Sequence, residues 1–271
     1  MLAARAADMI NLRTQRAQRQ EVATQNKVRN ALEKLLQKQS REALDIMGRR
    51  AVEAYTKGGE TAALASTIES EALVEKVLKT SYARCISVGA ARLQSVAMRK
   101  SSGLILERKV DDDGELLTDE ELGAIIKSYA RANAAAKAKY IGETTRTRIK
   151  RAVAEGIDED YGPAKIAKLI EEKTYGVING DRAELIARTE THGAMNYGSL
   201  ESAKMMDGIA TKTWISASDS RTREDHSEMD GQTVGIEDEF EGPCAGMSFP
   251  GDSSGPAEQV INCRCGLIYN T

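Results

Sequence analysis

Through the first two-thirds of the chain, apolar positions recur at steps of three and four residues. Val28, Leu32, Leu35 and Leu36 are followed by Ala43, Leu44, Met47 and Ala51, a spacing that gathers side chains on one face of an α-helix. Residues 3–55 contain no proline, and only Gly48 interrupts good helix formers. One long helix is expected there, with a break near Gln20 as the alternative, ending at the glycines of Lys57-Gly58-Gly59. Leu64, Ile68, Leu73, Val77, Leu78, Ile86, Val88 and Val96 predict one or two further helices over residues 60–99. Ser101-Ser102-Gly103 starts a break, Leu104-Ile105-Leu106 is a short apolar run, and Asp111–Gly114 reads as a turn. Thr118 with Glu121 has the spacing of a capping box, opening a helix expected to reach about Gly156. Gly162-Pro163 begins another, to about Tyr175; 176–180 is expected as a loop and 181–206 as the last long helix. Helices this long do not bury themselves and need partners in this chain or in a neighbouring subunit.

After residue 206 the pattern changes. Residues 211–216 are rich in Thr, Ile and Trp and predict a strand. A short helix is expected around His226, a turn at Asp230-Gly231, a second strand over 232–236, a proline- and glycine-rich loop over 238–257 and a last strand over 260–268. The predicted class is α+β: mainly long α-helices in the N-terminal two-thirds, then a small loop-rich C-terminal unit with a few short β-strands. The expected regions are 1–103, a helical arm that binds partners; 104–180, helical with linker turns; and 181–271, the C-terminal domain.

Charged residues make up 29% of the chain and aromatics 4%, a profile that suits long helices and exposed partner surfaces. No run of eighteen apolar residues is present, so no membrane partner is expected. The first twenty residues lack the apolar stretch of a secretory signal. The net charge of −3 hides an asymmetry. Residues 1–50 hold eleven Lys/Arg against five Asp/Glu, and residues 219–271 hold three against eleven. A basic arm and an acidic tail imply different partners at the two ends. The arm reads either as a solvated helix surface or as a contact for nucleic acid or an acidic protein. No aromatic residue interleaves the basic ones before Tyr55, which argues against stacking on single strands.

The chemistry concentrates between Trp214 and Tyr269. Cys244, Cys263 and Cys265, one of two histidines (His226), the one tryptophan and three of four prolines lie there. Cys263 and Cys265 point the same way if their segment is extended. With His226 and Cys244 they would make a Cys₃His set of the kind structural zinc takes. Asp219 and Asp252 are alternative fourth ligands. A disulfide within Cys-x-Cys would be strained, and the other reading is of reduced cysteines packed as small apolar residues. Cys85 reads as a buried structural thiol rather than a reactive one. The aspartates from Asp111 fail the calcium-loop pattern, because Leu116 and Leu122 stand where glycine and glutamate are needed. Arg146, Arg148, Lys150 and Arg151 read as cations favoured near a helix C-terminus, or as phosphate contacts. Glu190 and His192, two apart on a helix, do not face each other. They are not expected to form a catalytic pair; Arg188 and Glu190 are expected in buried ion pairs with the C-terminal unit.

Several pieces stand in order: Arg188-Thr189-Glu190, Lys212-x-Trp214, Asp219-x-Arg-Thr-Arg-x-x-His226, Asp230-Gly231, Pro250-Gly-Asp252 and Glu258-x-x-Ile-Asn-Cys-Arg-Cys265. This order resembles the phage Mu F-like family of minor head, or head morphogenesis, proteins over about residues 181–269. The resemblance implies a structural protein, not an enzyme, present in few copies in the head of a tailed bacteriophage and in the host cytoplasm during assembly. It implies action near the portal, with portal, scaffold or major capsid protein as partners and double-stranded DNA against the basic N-terminal arm. The alternative is a metal-dependent hydrolase or nuclease in which Asp219, Asp225, Glu228 and Asp230 join His226 and leave a position for water.

Overall fold

The computed structural model describes residues 2–100, 119–174, 177–206 and 208–270, with side chains placed for 16–93, 120–174, 179–206 and 208–270. The break at 101–103, the run 104–106, the turn at 111–114 and the Thr118 cap lie outside them. The helices are α1 (Leu2–Lys100), α2 (Asp119–Asp158), α3 (Pro163–Thr174), α4 (Val177–Lys204), and the short α5 (Glu224–Glu228) and α6 (Ala257–Val260). The strands are β1 (Thr211–Ile215), β2 (Thr233–Gly235) and β3 (Gly266–Asn270). The α+β class holds. Two compact units form from discontinuous segments: Met1–Leu32, Cys85–Ile126 and Thr191–Thr271 make the first, and Glu33–Arg84 and Lys127–Glu190 the second.

In the second unit, α1 is two helices joined at Gly58 and Gly59, whose backbone leaves the helical region, Gly59 at φ 68°. That angle is open to glycine at little cost. Beyond it the chain doubles back: Arg50 meets Ser70, and Ser81 meets Gln39. The expected stop is therefore the tip of a helical hairpin, and no break occurs near Gln20. Ala51 and Ala63, on either side of the tip, pack with Ile149, Ala152 and Val153 of α2 and Ile166 and Ile170 of α3 in one apolar core. Here the partner the long helix needs is its own returning half, with α2 and α3.

Polar side chains bind the same bundle. Glu190, buried on α4, accepts a hydrogen bond from the Tyr82 hydroxyl at 2.5 Å, and Lys137 lies 3.8 Å away. Burial raises the Glu190 carboxyl above the usual range, opposed by Lys137 and Tyr82. Arg188 pairs with Glu184 one turn back, on a half-exposed surface. The expected ion pairs of Arg188 and Glu190 with the C-terminal unit are thus replaced by partners within the bundle. The helix-dipole reading of the basic cluster also fails. α2 runs on to Asp158 with no basic residue in its last turn, and Arg146 instead pairs with Glu71 and Glu143. The expected loop at 176–180 is also corrected, since α4 already begins at Val177. Asn179 donates to the Thr174 carbonyl at the end of α3 and to Asp45, fixing the start of α4 without a longer loop.

In the first unit, α1 and α4 meet at a crossing of small residues. A Cβ added at Gly198 would strike the Ile86 backbone, and one at Gly89 the Met195 carbonyl. The helix backbones touch there. The three strands form an antiparallel sheet in the order β2-β1-β3, with Lys212 opposite Val234 on one side and Tyr269 on the other. Val22 of α1 packs with Ile215 and Ile268, and Arg92 pairs with Glu21 at 2.8 Å. The expected last strand over 260–268 is mostly something else. Residues 257–260 are helical, Asn262 takes φ 60°, and extended pairing begins only at Gly266.

Candidate metal centre

The sheet presents β1 to the loops that follow it. Trp214 is fully buried and stacks edge-on against Phe240 (5.2 Å between centroids) and the His226 ring (5.6 Å). α5 is a single five-residue helix, and His226 is its one buried side chain. Aromatic packing therefore fixes the imidazole from one side. Cys263 and Cys265 approach from the turn between α6 and β3. Their sulfurs lie 3.7 and 3.3 Å from His226 Nδ1. The three ligand atoms fall within 4.8 Å of one another, and all three residues are buried.

A tetrahedral zinc with bonds of about 2.3 Å to sulfur and about 2.0 Å to nitrogen holds its ligand atoms roughly 3.5–3.8 Å apart. The Cys263 distance of 3.7 Å falls in that range and the Cys265 distance of 3.3 Å just below it, so this buried His/Cys/Cys group can hold a metal with little rearrangement. Cys244 is fully buried in the 3₁₀ turn Gly242–Cys244, which packs against α5. It stands outside the three-residue group, yet its thiol acts on the same imidazole. Burial opposes charge on His226, but hydrogen bonding to Cys244 and Cys265 pushes it up to about 9. The Cys263 thiol is pushed up by burial, and Cys265 is held well below the usual thiol range by hydrogen bonds from Cys263 and His226.

The acidic residues around the site are otherwise engaged. Asp219 takes a forked contact from Arg264 and accepts from the Arg221 amide. Asp225 accepts from Gln259. Asp230 accepts from the Ser216 amide at 2.8 Å and pairs with Arg19 at 3.3 Å. Asp252 accepts from the amides of Ser248 and Ser254, closing its own loop. The hydrolase reading needed Asp219, Asp225, Glu228 and Asp230 beside His226, and none of them joins it in the metal-competent group; nor does Asp252, the other candidate fourth ligand.

His192 lies elsewhere in the same unit. Arg29 donates to its Nδ1 at 2.9 Å, Asn196 lies 3.2 Å from its other ring nitrogen, and Asn196 donates to the Pro250 carbonyl. Burial lowers its pKa well below the ordinary value, with Arg29 adding to the effect. Gly251, at φ 85°, closes against the ring. Sequence reasoning missed Arg29, Arg223, Gln259 and Arg264 as structural partners. Arg264 alone left a trace, a charged residue between two cysteines that a period-two pattern sends to the opposite side.

Residues 143–268 match the family described as Phage Mu protein F like protein. Over this stretch the chain is similar to the phage Mu F-like family. The Mu F-like region begins at 143 rather than 181, so it takes in the end of α2 and all of α3 as well as the C-terminal motifs. One similar protein is "Minor head protein GP7" of Bacillus phage SPP1, 29% identical over 123 residues, 45% of this chain and 39% of the relative. Another is "NAD(+)--arginine ADP-ribosyltransferase EFV" of Enterococcus faecalis (strain ATCC 700802 / V583), 32% identical over 134 residues, 48% of this chain and 26% of that protein. The chain thus spans well under half of either relative. No solved structure matches it.

Proposed function

We propose that this chain is a head morphogenesis protein of a tailed bacteriophage whose C-terminal part is a zinc-stapled docking module. The observation that carries the module is the composition of its centre. Sulfur and imidazole converge in a site where His226, Cys263 and Cys265 are each about 2% exposed, while the neighbouring carboxylates are committed to arginines, amides and Gln259. With Asp219 and Asp252 both engaged, Cys244 is the fourth ligand. Four protein ligands leave no open position for water, which is the mark of a structural site. Zinc, when bound, contributes a cross-link between α5, the Gly242–Cys244 turn and the approach to β3.

The role in the head is supported by the family of residues 143–268 and by the printed name of the SPP1 relative. The long helices offer the docking surface. On α1, Lys34, Lys38 and Arg41 are exposed at spacings that share one face, suited to an acidic segment of a portal, scaffold or major capsid protein, or to double-stranded DNA. The protein would act at the portal and reside in the virion. Each relative is matched over less than half of this chain and less than half of its own length, so neither whole activity carries over, and no transferase activity is assigned to this chain. Co-expression with the portal, scaffold and major capsid proteins of the same phage, followed by purification on one tagged member, tests the role. A stable complex with the portal protein is expected. Recovery of the chain alone, together with arginine modification on incubation with NAD⁺, would overturn it.

A further inference from the structure

We propose that Asp219 and Arg264 are a positioning pair, the outermost of three side-chain contacts that clasp the two metal-ligand segments in register. This inference rests on the zinc reading above.

The segment from Ser216 to His226 and the segment from Ala257 to Cys265 carry three of the ligands between them, and no backbone ladder joins them. Beyond the contacts of the ligand thiols themselves, three side-chain contacts do. Asp219 meets Arg264, Arg223 donates to the Ile261 carbonyl, and Gln259 donates to Asp225. The partners fall in reverse order along the two segments, as the rungs of an antiparallel pair would. Two of the contacts, Asp219 with Arg264 and Arg223 with Ile261, use named residues of both sequence motifs, and the third falls at open positions inside the same motifs. The motifs therefore read as the two halves of one clasp, with His226 and the cysteines at its inner edge.

Arg264 has the most specific task. It stands between Cys263 and Cys265, and burial alternates along these three residues: buried, partly exposed, buried. Side chains that alternate in this way point to opposite sides of the chain. Fixing Arg264 on the outer side turns both thiols inward to His226. The anchor is itself held. The Asp219 carboxylate accepts from the Arg221 amide at 2.9 Å and from the Thr222 hydroxyl, and the Asp219 amide donates to Thr222 Oγ1 at 3.0 Å. A forked guanidinium on a carboxylate fixes direction as well as distance, and lysine cannot reproduce that geometry.

The test uses the full chain loaded with zinc. Zinc affinity is measured by competition with a chromophoric chelator under conditions where the protein stays folded, and the ligand field is read from the visible absorption of the cobalt(II) form. In Asp219→Asn and Arg264→Gln one zinc per chain is still expected, with affinity about 10–100-fold weaker and an altered cobalt spectrum. Arg264→Lys keeps the charge, loses the fork, and is expected to behave like Arg264→Gln; it serves if the neutral variant does not fold. The reversed pair Asp219→Arg with Arg264→Asp is expected to regain part of the affinity. A wild-type chain that binds zinc, with every variant within about twofold of it and unchanged in spectrum, overturns the clasp and leaves the zinc reading standing. A wild-type chain that binds no zinc overturns both.

Discussion

His192 and Lys212 are single residues whose burial has opposite histories in the sequence. His192 stood out because histidine is scarce in this chain, yet it lies outside the metal-competent group. It is neutral, accepts from Arg29 and is pressed by Gly251. In the unfolded chain its pKa returns to about 6.5. Its folded value lies well below that, so unfolding takes up a proton in acid. The stability this contributes is present above pH 6.5 and is lost as pH falls below it, by up to about 1.4 kcal/mol per pH unit. His226, which titrates near 9 in the folded metal-free chain, works against this near pH 6.5, where the unfolded imidazole is only half protonated, and its opposing slope fades toward pH 5.5, leaving a net loss of stability set by His192. Urea unfolding between pH 6.5 and 5.5 should show this slope, and His192→Gln should flatten it. Lys212, by contrast, is fully buried, its Nζ lacks a hydrogen-bond partner, and it sits 5.5 Å from the Phe240 ring. Burial pushes its pKa down to about 8. Lys212→Met keeps most of the volume and removes the buried amine, so stability at neutral pH is expected to rise by about 1 kcal/mol. A loss of that size would mean the amine has a role that its contacts do not reveal.

Among the elements, the helices were the legible part and the last strand was not. The three- and four-residue rhythm of α1 arises from burying one face of the helix, which is written directly into the order of residues; α4 is buried all round from Thr189 to Asn196. The hairpin tip was legible for the same local reason, since Gly58-Gly59 stops a helix wherever it stands. The segment before β3 was misread because Val260, Ile261 and Cys263 have strand-like composition. Pro256 and the left-handed turn at Asn262 instead make it a helical turn followed by a corner, and the contacts that hold that corner come from Arg223 and Asp225, more than thirty residues earlier. The cysteines nonetheless share one side of the chain, as period two required. The crossing of α1 and α4 has one local mark in the sequence, the small residues Ser87, Gly89, Ala90 and Ala91, and nothing local points to Gly198 as their partner. Gly198→Ala should destabilise the chain by about 1–3 kcal/mol or more in chemical denaturation, because the new methyl meets the Ile86 backbone. Gly123→Ala is the control. Nothing lies within 4 Å of its Cβ position, and a gain of about 0.5–1 kcal/mol is expected there.

At the scale of the molecule, each compact unit is assembled from segments far apart in the chain, because α1, α2 and α4 each contribute to both. A boundary drawn along the sequence is a poor guide to such an arrangement, since local composition changes only where the loops of the C-terminal part begin. The charge asymmetry was real as a count, but part of it is spent internally: Arg19 pairs with Asp230, and Arg29 is buried against His192. Arg41 pairs with Asp45 one turn on, and the bases left for a partner are fewer, Lys34 and Lys38 among them. If zinc staples the loop-rich part, its removal should act on that part first. Chelation is expected to lower the thermal midpoint and to expose 219–265 to proteolysis while the helical unit of residues 33–84 and 127–190 stays protected. Cys263→Ser with Cys265→Ser should do the same without chelator.

The most direct measurement is zinc-edge X-ray absorption on the full chain, purified without chelator and paired with metal analysis. One zinc per chain with three sulfur ligands near 2.3 Å and one nitrogen near 2.0 Å is the predicted result. A chain that holds no metal, or a zinc whose shell includes oxygen from water or carboxylate, would contradict the account.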